Sequence, residues 1–106
     1  MFNTSLNNAG HGALVESYVN GSDFYRVYAD GWIEQGGFIN SMTNNVNYTL
    51  NILKPFKDTN YNVQCVSSVK QHFMCPVSKT ESTITFHTVD VSYNTNTGCY
   101  WFSCGY

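Results

Sequence analysis

Apolar and polar residues alternate along most of this chain, most clearly from Phe24 to Phe38, FYRVYADGWIEQGGF. Two runs rich in aromatic and β-branched residues flank Asp30-Gly31, a dipeptide suited to the positive φ values of a two-residue hairpin loop. A tight β-hairpin is expected, with Ala29 opposite Trp32, Tyr28 opposite Ile33, Val27 opposite Glu34, Arg26 opposite Gln35, Tyr25 opposite Gly36 and Phe24 opposite Gly37. Alternation then gives one face of Tyr25, Val27, Ala29, Trp32, Glu34 and Gly36, and another of Phe24, Arg26, Tyr28, Ile33, Gln35 and Gly37. Each face is half apolar. The mixture predicts that both sides are covered, one by the domain core and the other by a loop or a neighbouring chain.

The rest of the chain reads as further short strands. Ala13 to Val19 leans to strand and ends at the turn signal Asn20-Gly21. Asn40 to Asn45 is a loop. Val46 to Leu53 alternates well, with Val46, Tyr48, Leu50 and Ile52 on one face and Asn47, Thr49 and Asn51 on the other. Pro55 ends that strand or lies on an edge, and Asp58-Thr59-Asn60 is a turn. Tyr61 to Ser67 resumes strand spacing. Ser68 to Lys79 has no steady period and reads as an irregular connection. Thr83 to Val89 is a strand with Ile84 and Phe86 on one face and His87 and Val89 on the other; Asp90 to Gly98 is a long polar loop; Cys99 to Ser103 is the final strand. About seven strands with turns every 8 to 12 residues predict an all-β fold, a small antiparallel β-sandwich or an intertwined β assembly. The 106 residues are expected to form a single domain, with 1–12 a flexible junction.

Composition narrows the function. Charged residues make up 11% of the chain and the net charge is −2, so the surface carries no basic footprint for nucleic acid or an anionic membrane. No apolar run is long enough to span a bilayer, and the start lacks the basic-then-apolar order of a signal peptide. Asn, Thr, Ser and Tyr supply the polarity instead, a neutral hydrogen-bonding surface of the kind that adapts to sugars and proteins. The same residues are also ordinary strand and turn formers.

Little points to catalysis or metal. Cys65, Cys75, Cys99 and Cys104 lack the close pairs of a zinc ribbon, and His72 with Cys75 would need two more ligands. Buried free thiols are expected, since Cys is a good small core residue. Asp30, Glu34, Asp58 and Asp90 are each explained by a turn, a loop or a cross-strand pair rather than by a glycosidase arrangement. No motif singles out a nucleophile among the Ser, Cys and His residues. Neither an enzyme nor a cofactor is expected. The three Asn-x-Ser/Thr triplets, at Asn3, Asn20 and Asn47, are chance matches in so Asn-rich a chain.

Four ordered stretches carry a resemblance: VESYVNG from Val15, YRVY with DGWIEQGG in the central run, LKPFKDTNYNV from Leu53 and YWFSCGY at the end. Together they resemble bacteriophage and prophage tail-fibre C-terminal domains of the gp53-like receptor-binding tip. The resemblance implies a homotrimeric fibre tip that recognises a bacterial surface polysaccharide or protein, placed in the virion after synthesis in the host cytoplasm. It implies no metal here, because the His-x-His repeats of some fibre tips are missing. Binding loops sit on rigid scaffolds, so the ligand contacts are expected at Asp90, Tyr93, Asn94, Thr95 and Asn96, with Asn60 and Tyr61 beside them. Trp32 and Trp101 are expected in core or subunit packing. The competing readings are a structural trimerisation or capping module, and a free-standing lectin-like module.

Overall fold

The computed structural model describes residues 10–42, 45–68, 72–90 and 97–106, with 41, 42, 90 and 97 described by backbone alone. The expected polar lead-in at Asn3 to Asn8 lies outside the described residues. Eight strands are described: β1 (Leu14–Asn20), β2 (Asp23–Tyr28), β3 (Ile33–Met42), β4 (Asn47–Asn51), β5 (Asn62–Ser67), β6 (His72–Lys79), β7 (Thr83–Asp90) and β8 (Thr97–Gly105). They form two antiparallel sheets, one of five strands in the order β1-β2-β3-β8-β5 and one of three in the order β4-β7-β6. The architecture is the expected all-β sandwich.

The central hairpin forms at the expected place but with a loop one residue longer. Gly31 N–H donates to Tyr28 O at 2.9 Å and Tyr28 N–H to Trp32 O at 2.9 Å, so Ala29, Asp30 and Gly31 make a three-residue loop. Gly31 takes the left-handed position alone, at φ 92°, and Asp30 Oδ1 accepts the Trp32 N–H at 3.0 Å. This is the tight turn followed by a glycine bulge that three-residue hairpins favour. The register therefore moves by one: Val27 faces Ile33, Arg26 faces Glu34, Tyr25 faces Gln35 and Phe24 faces Gly36.

That slip re-sorts the faces. Val27, Ile33, Gln35 and Ile39 share the inner side, and Phe24, Arg26, Tyr28, Glu34 and Phe38 share the outer one. Gly36 lies on the outer side beneath the Phe24 ring; a Cβ there would sit 3.0 Å from a Phe24 ring carbon and 2.5 Å from Trp101 O. The missing side chain lets Phe24 stack with Phe102 across β3, ring centroids 6.3 Å apart.

A second correction concerns 68–79, where no steady period was visible. His72–Lys79 is the edge strand β6, and a bulge between Pro76 and Ser78 breaks its alternation. Pro76, which has no N–H to give, sits on that edge as proline in a strand must. Elsewhere the alternation holds: Ile84 and Phe86 are buried, Tyr48 and Leu50 pair with them, and Asn47, Thr49 and Asn51 are exposed.

The core lies between the sheets. Ile33 and Ile39 from β3, Cys99 and Trp101 from β8, and Ile84 and Phe86 from β7 meet Ile52, Phe56 and Tyr61 of the connection joining β4 to β5. Trp101 is thus core packing, as expected. Every residue of β1 is exposed, so this strand lies beyond the cover of the smaller sheet.

Among the described residues Gln35 is the one fully buried amide of the core, and the bonds of its side chain go to the 52–61 connection. Its Oε1 accepts the N–H groups of Leu53 and Lys54, both at 3.0 Å, and its Nε2 donates to Lys54 O at 2.7 Å. Three backbone groups that would otherwise be stranded are satisfied by one side chain. Replacing it with the similarly shaped methionine removes all three bonds. Urea unfolding of Gln35→Met is expected to show a loss of about 3 kcal/mol or more, since each abandoned buried group costs about 1–3 kcal/mol; a loss below about 1 kcal/mol would remove Gln35 from this role.

Candidate functional site

Three surfaces hold enough side-chain chemistry to bind something. The first is the outer face of the three-stranded sheet. Register brings Asn47 beside His87, and His87 beside Cys75; one row along, Thr49 lies beside Thr85, and Thr85 beside Ser78. His87 Nδ1 and Asn47 Oδ1 are 2.7 Å apart, and the Thr49 and Thr85 hydroxyls are 3.0 Å apart. These cross-strand bonds hold the side chains in place before any ligand arrives. At the Asp90 end of the face, Phe73 pairs with Val89 and is 62% exposed. Among the described residues, no Lys, Arg, Asp or Glu shares these rows. An exposed aromatic ring bordered by amide, imidazole and hydroxyl groups suits a hydroxyl-rich or amide-rich ligand.

The second is a cleft of about 340 Å³ between the free edges of β5 and β6, lined by Tyr61, Asn62, Val63, Pro76, Val77, Ser78 and Lys79. The β6 bulge pushes Val77 to its rim, where it is 52% exposed. Lys79 spans the cleft, its ammonium 4.8 Å from the Tyr61 ring centroid and donating to the Tyr61 carbonyl.

The third is a clasp over the hairpin tip. The His11 ring stacks on Trp32 with centroids 4.3 Å apart and planes 1° from parallel, while Tyr106 meets Trp32 edge-on at 5.3 Å. Asp30 Oδ2 lies 2.7 Å from His11 Nδ1 and accepts the Tyr106 hydroxyl at 3.0 Å. Burial alone would raise the Asp30 carboxyl, but the bonds from His11, the Trp32 N–H and Tyr106 together hold it below the ordinary range. Backbone bonds from Ala29 to Ala13 and from Asp30 to His11 complete the joint. Every strong group here is spent on another, so the clasp reads as structure that fixes the 11–13 segment to the tip.

The expected ligand residues divide. Tyr93, Asn94, Thr95 and Asn96 lie outside the described residues. Asp90 ends β7 opposite His72, next to the Phe73–Val89 pair, with its backbone alone described. Asn60 is exposed in a turn, its N–H donating to Asp58 Oδ1 at 2.8 Å. Tyr61 packs against Gly105, at the other end of β8 from Thr97. At about 3.3 Å per residue, that separates the 58–61 turn from the start of β8 by roughly 26 Å.

Tyr61 is also 3% exposed, stacked on Phe56 at 4.0 Å, with its hydroxyl donating to Thr80 O at 2.7 Å and Thr83 O at 3.1 Å. It ties the connection to the β6–β7 turn. The cysteines are unpaired and unevenly placed: Cys99 is buried, Cys65 and Cys104 half-buried and Cys75 exposed, which corrects the expectation that all four lie inside. A hydrogen bond to Cys65, together with burial, holds the Cys99 thiol far above its ordinary range. Phe73 and the Asn47–His87 pair were missed because β6 was read as irregular; the signal was the alternation of Asn47, Thr49 and His87 on outward positions.

No family model matches the chain, and no curated protein matches it. Solved structures do. It is similar to an N-truncated R1-type pyocin tail fibre, with a TM-score of 0.68 and 16% identity over 100% of this chain and 97% of that one. A similar fit is found with an N-truncated R2-type pyocin tail fibre, at 0.68 and 15% over 89% of this chain and 39% of that one. The C-terminal part of the P. aeruginosa R1 pyocin fibre gives 0.64 and 16% over 100% of this chain and 32% of that one. In the two longer fibres the chain therefore spans well under half the length. The fold is that of a pyocin tail-fibre domain.

Burial pushes the Tyr61 hydroxyl up to about 12. Because the folded value lies above the ordinary one near 10, the neutral phenol stabilises fully below pH 10 and that contribution is lost as pH rises toward 12. Tyr61→Phe is expected to cost about 1 kcal/mol at pH 8, from the lost hydrogen bonds. The gap to the natural protein should close between pH 10 and 12 in denaturant titrations; a constant gap across that range would contradict the assignment.

Proposed function

We propose that this domain is the receptor-binding tip of a phage or pyocin-like tail fibre, a homotrimer that attaches a phage-tail-like particle to a bacterial surface polysaccharide or protein without chemical change to it. The observation that carries the reading is the fit of the whole chain to pyocin tail-fibre domains despite 16% identity. What the fold keeps, on this reading, is a rigid sandwich that presents one variable, uncharged surface.

Receptor contact is assigned to the Phe73 end of the outer three-stranded face and to the loop that leaves β7 at Asp90, with Tyr93, Asn94, Thr95 and Asn96. The Phe73–Val89 pair directly precedes Asp90 along the strand, which supports taking the sheet face and the segment after Asp90 together. Stacking on Phe73 supplies apolar contact, and Asn47, His87, Thr49 and Thr85 supply hydrogen bonds to hydroxyl or amide groups. Modest single-site affinity is multiplied by three copies bound to one cell. The particle component is made in the host cytoplasm and used outside it.

Fluorescently labelled domain should bind cells of a susceptible strain in flow cytometry. Phe73→Ala should weaken that binding by about tenfold or more, the equivalent of about 1.4 kcal/mol, with an unchanged circular dichroism spectrum. Full binding by Phe73→Ala would move the site elsewhere. A natural domain that assembles but binds no strain would favour the capping module.

A further inference from the structure

The outer face of the five-stranded sheet has no cover among the described residues. Three rows cross it. Val19, Phe24, Gly36, Phe102 and Gln64 form one row; Phe38, Tyr100 and Val66 form the next; Ser17, Arg26, Glu34, Cys104 and Asn62 form the third. Phe38 and Tyr100 rings lie 4.7 Å apart beside the Phe24–Phe102 stack, so the first two rows make a continuous aromatic band. Both ends of the band are apolar and open, with Val19 72%, Val66 61% and Tyr100 53% exposed. The charges of the face, Arg26 and Glu34, are confined to the third row and face each other.

Five strands at about 4.8 Å and an average of about eight residues at about 3.4 Å make this face about 24 Å by about 27 Å, or roughly 650 Å². The whole face, its polar third row included, is near the roughly 800 Å² that each partner contributes to a specific interface. The two edges differ. On the β1 side a valine stands out. On the β5 side a hollow of about 200 Å³ is lined by Gln64, Cys65, Val66, Tyr100, Trp101 and Phe102. The projection and the hollow occupy the same row, since Val19 is in line with Phe102 and Gln64. Rotation about an axis parallel to the strands preserves height along them, so it can bring the projection of one copy to the hollow of the next. Two different complementary patches joined in this way close into a ring rather than a two-fold dimer.

We infer that this face is the contact between copies of the chain, with the Val19 edge of one copy seated in the β5–β8 hollow of the next. The inference deepens the fibre-tip reading, on which it rests, by naming the surfaces that meet and their head-to-tail sense. It also gives the aromatic band its function: Phe24, Phe38, Tyr100 and Phe102 line the inside of the ring, and the three-stranded sheets face outward.

Sedimentation velocity of the 106-residue chain tests it. The natural chain sediments as a closed oligomer of 12.0 kDa units. Val19→Glu and Val66→Lys, each at an exposed position and each checked for folding by near-ultraviolet circular dichroism, raise the dissociation concentration at least 100-fold. Both substitutions on one chain restore assembly, because in a head-to-tail ring the new acid of one copy meets the new base of the next. Three results overturn the inference: a monomeric natural chain, single variants that assemble normally, or a double variant no better than the singles. Normal assembly of the single variants leaves the fibre-tip reading standing, because another surface would then join the copies, and cell binding by those variants separates the two failures.

Discussion

The stacking of the two sheets depends on one buried side-chain amide. Gln35 projects from the inner side of β3 and holds Leu53 and Lys54, the point where the chain crosses from the three-stranded sheet to the five-stranded one. With that crossing fixed, Phe56 and Tyr61 fall into the core between Trp101 and Ile84, and β5 follows along β8. A polar anchor accepts far less variation than an apolar contact, because its partners must be met in direction as well as distance. Tyr61 repeats the device at the β6–β7 turn, and Asp30 repeats it at the hairpin tip, where it gathers His11, Trp32 and Tyr106.

With the core pinned in this way, the two outer faces are free to differ. The five-stranded face is aromatic and aliphatic; the three-stranded face is neutral, hydroxyl-rich and carries one exposed ring. In the proposed assembly the first is turned inward against other copies and the second outward toward the cell. In that assembly the division would account for a chain with only 11% charged residues: copies of the chain would shield much of its apolar surface, and recognition would rest on hydrogen bonding rather than charge.

Much of this was legible in the residues, and the gaps have physical causes. Strict alternation exposed β4 and β7 and both of their faces. Asp30-Gly31 marked the hairpin correctly, but the dipeptide serves both a two-residue loop and the last two positions of a three-residue one. Only the capping of Trp32 N–H by Asp30 decides between them, and the one-residue difference turned two half-apolar faces into a buried side with Val27 and Ile33 and an outer aromatic side. β6 was hidden by Pro76 and a bulge, which erase the period of two at an edge. The anchoring roles of Gln35 and Tyr61 were not legible, because nothing local announces that a polar group will find its partners eighteen or more residues away. Tyr93 to Asn96 of the expected ligand loop lie outside the described residues, while Tyr61, expected beside them, is a core residue.

The most direct measurement is competition on cells. Susceptible bacteria are incubated with a saturating concentration of the purified domain, washed, and mixed with the particle whose fibre carries it, and unadsorbed particles are counted over time. A receptor-binding tip predicts that the domain occupies the receptor and slows adsorption severalfold, in proportion to domain bound. Adsorption at the unblocked rate, with the domain demonstrably folded and assembled, would contradict the account.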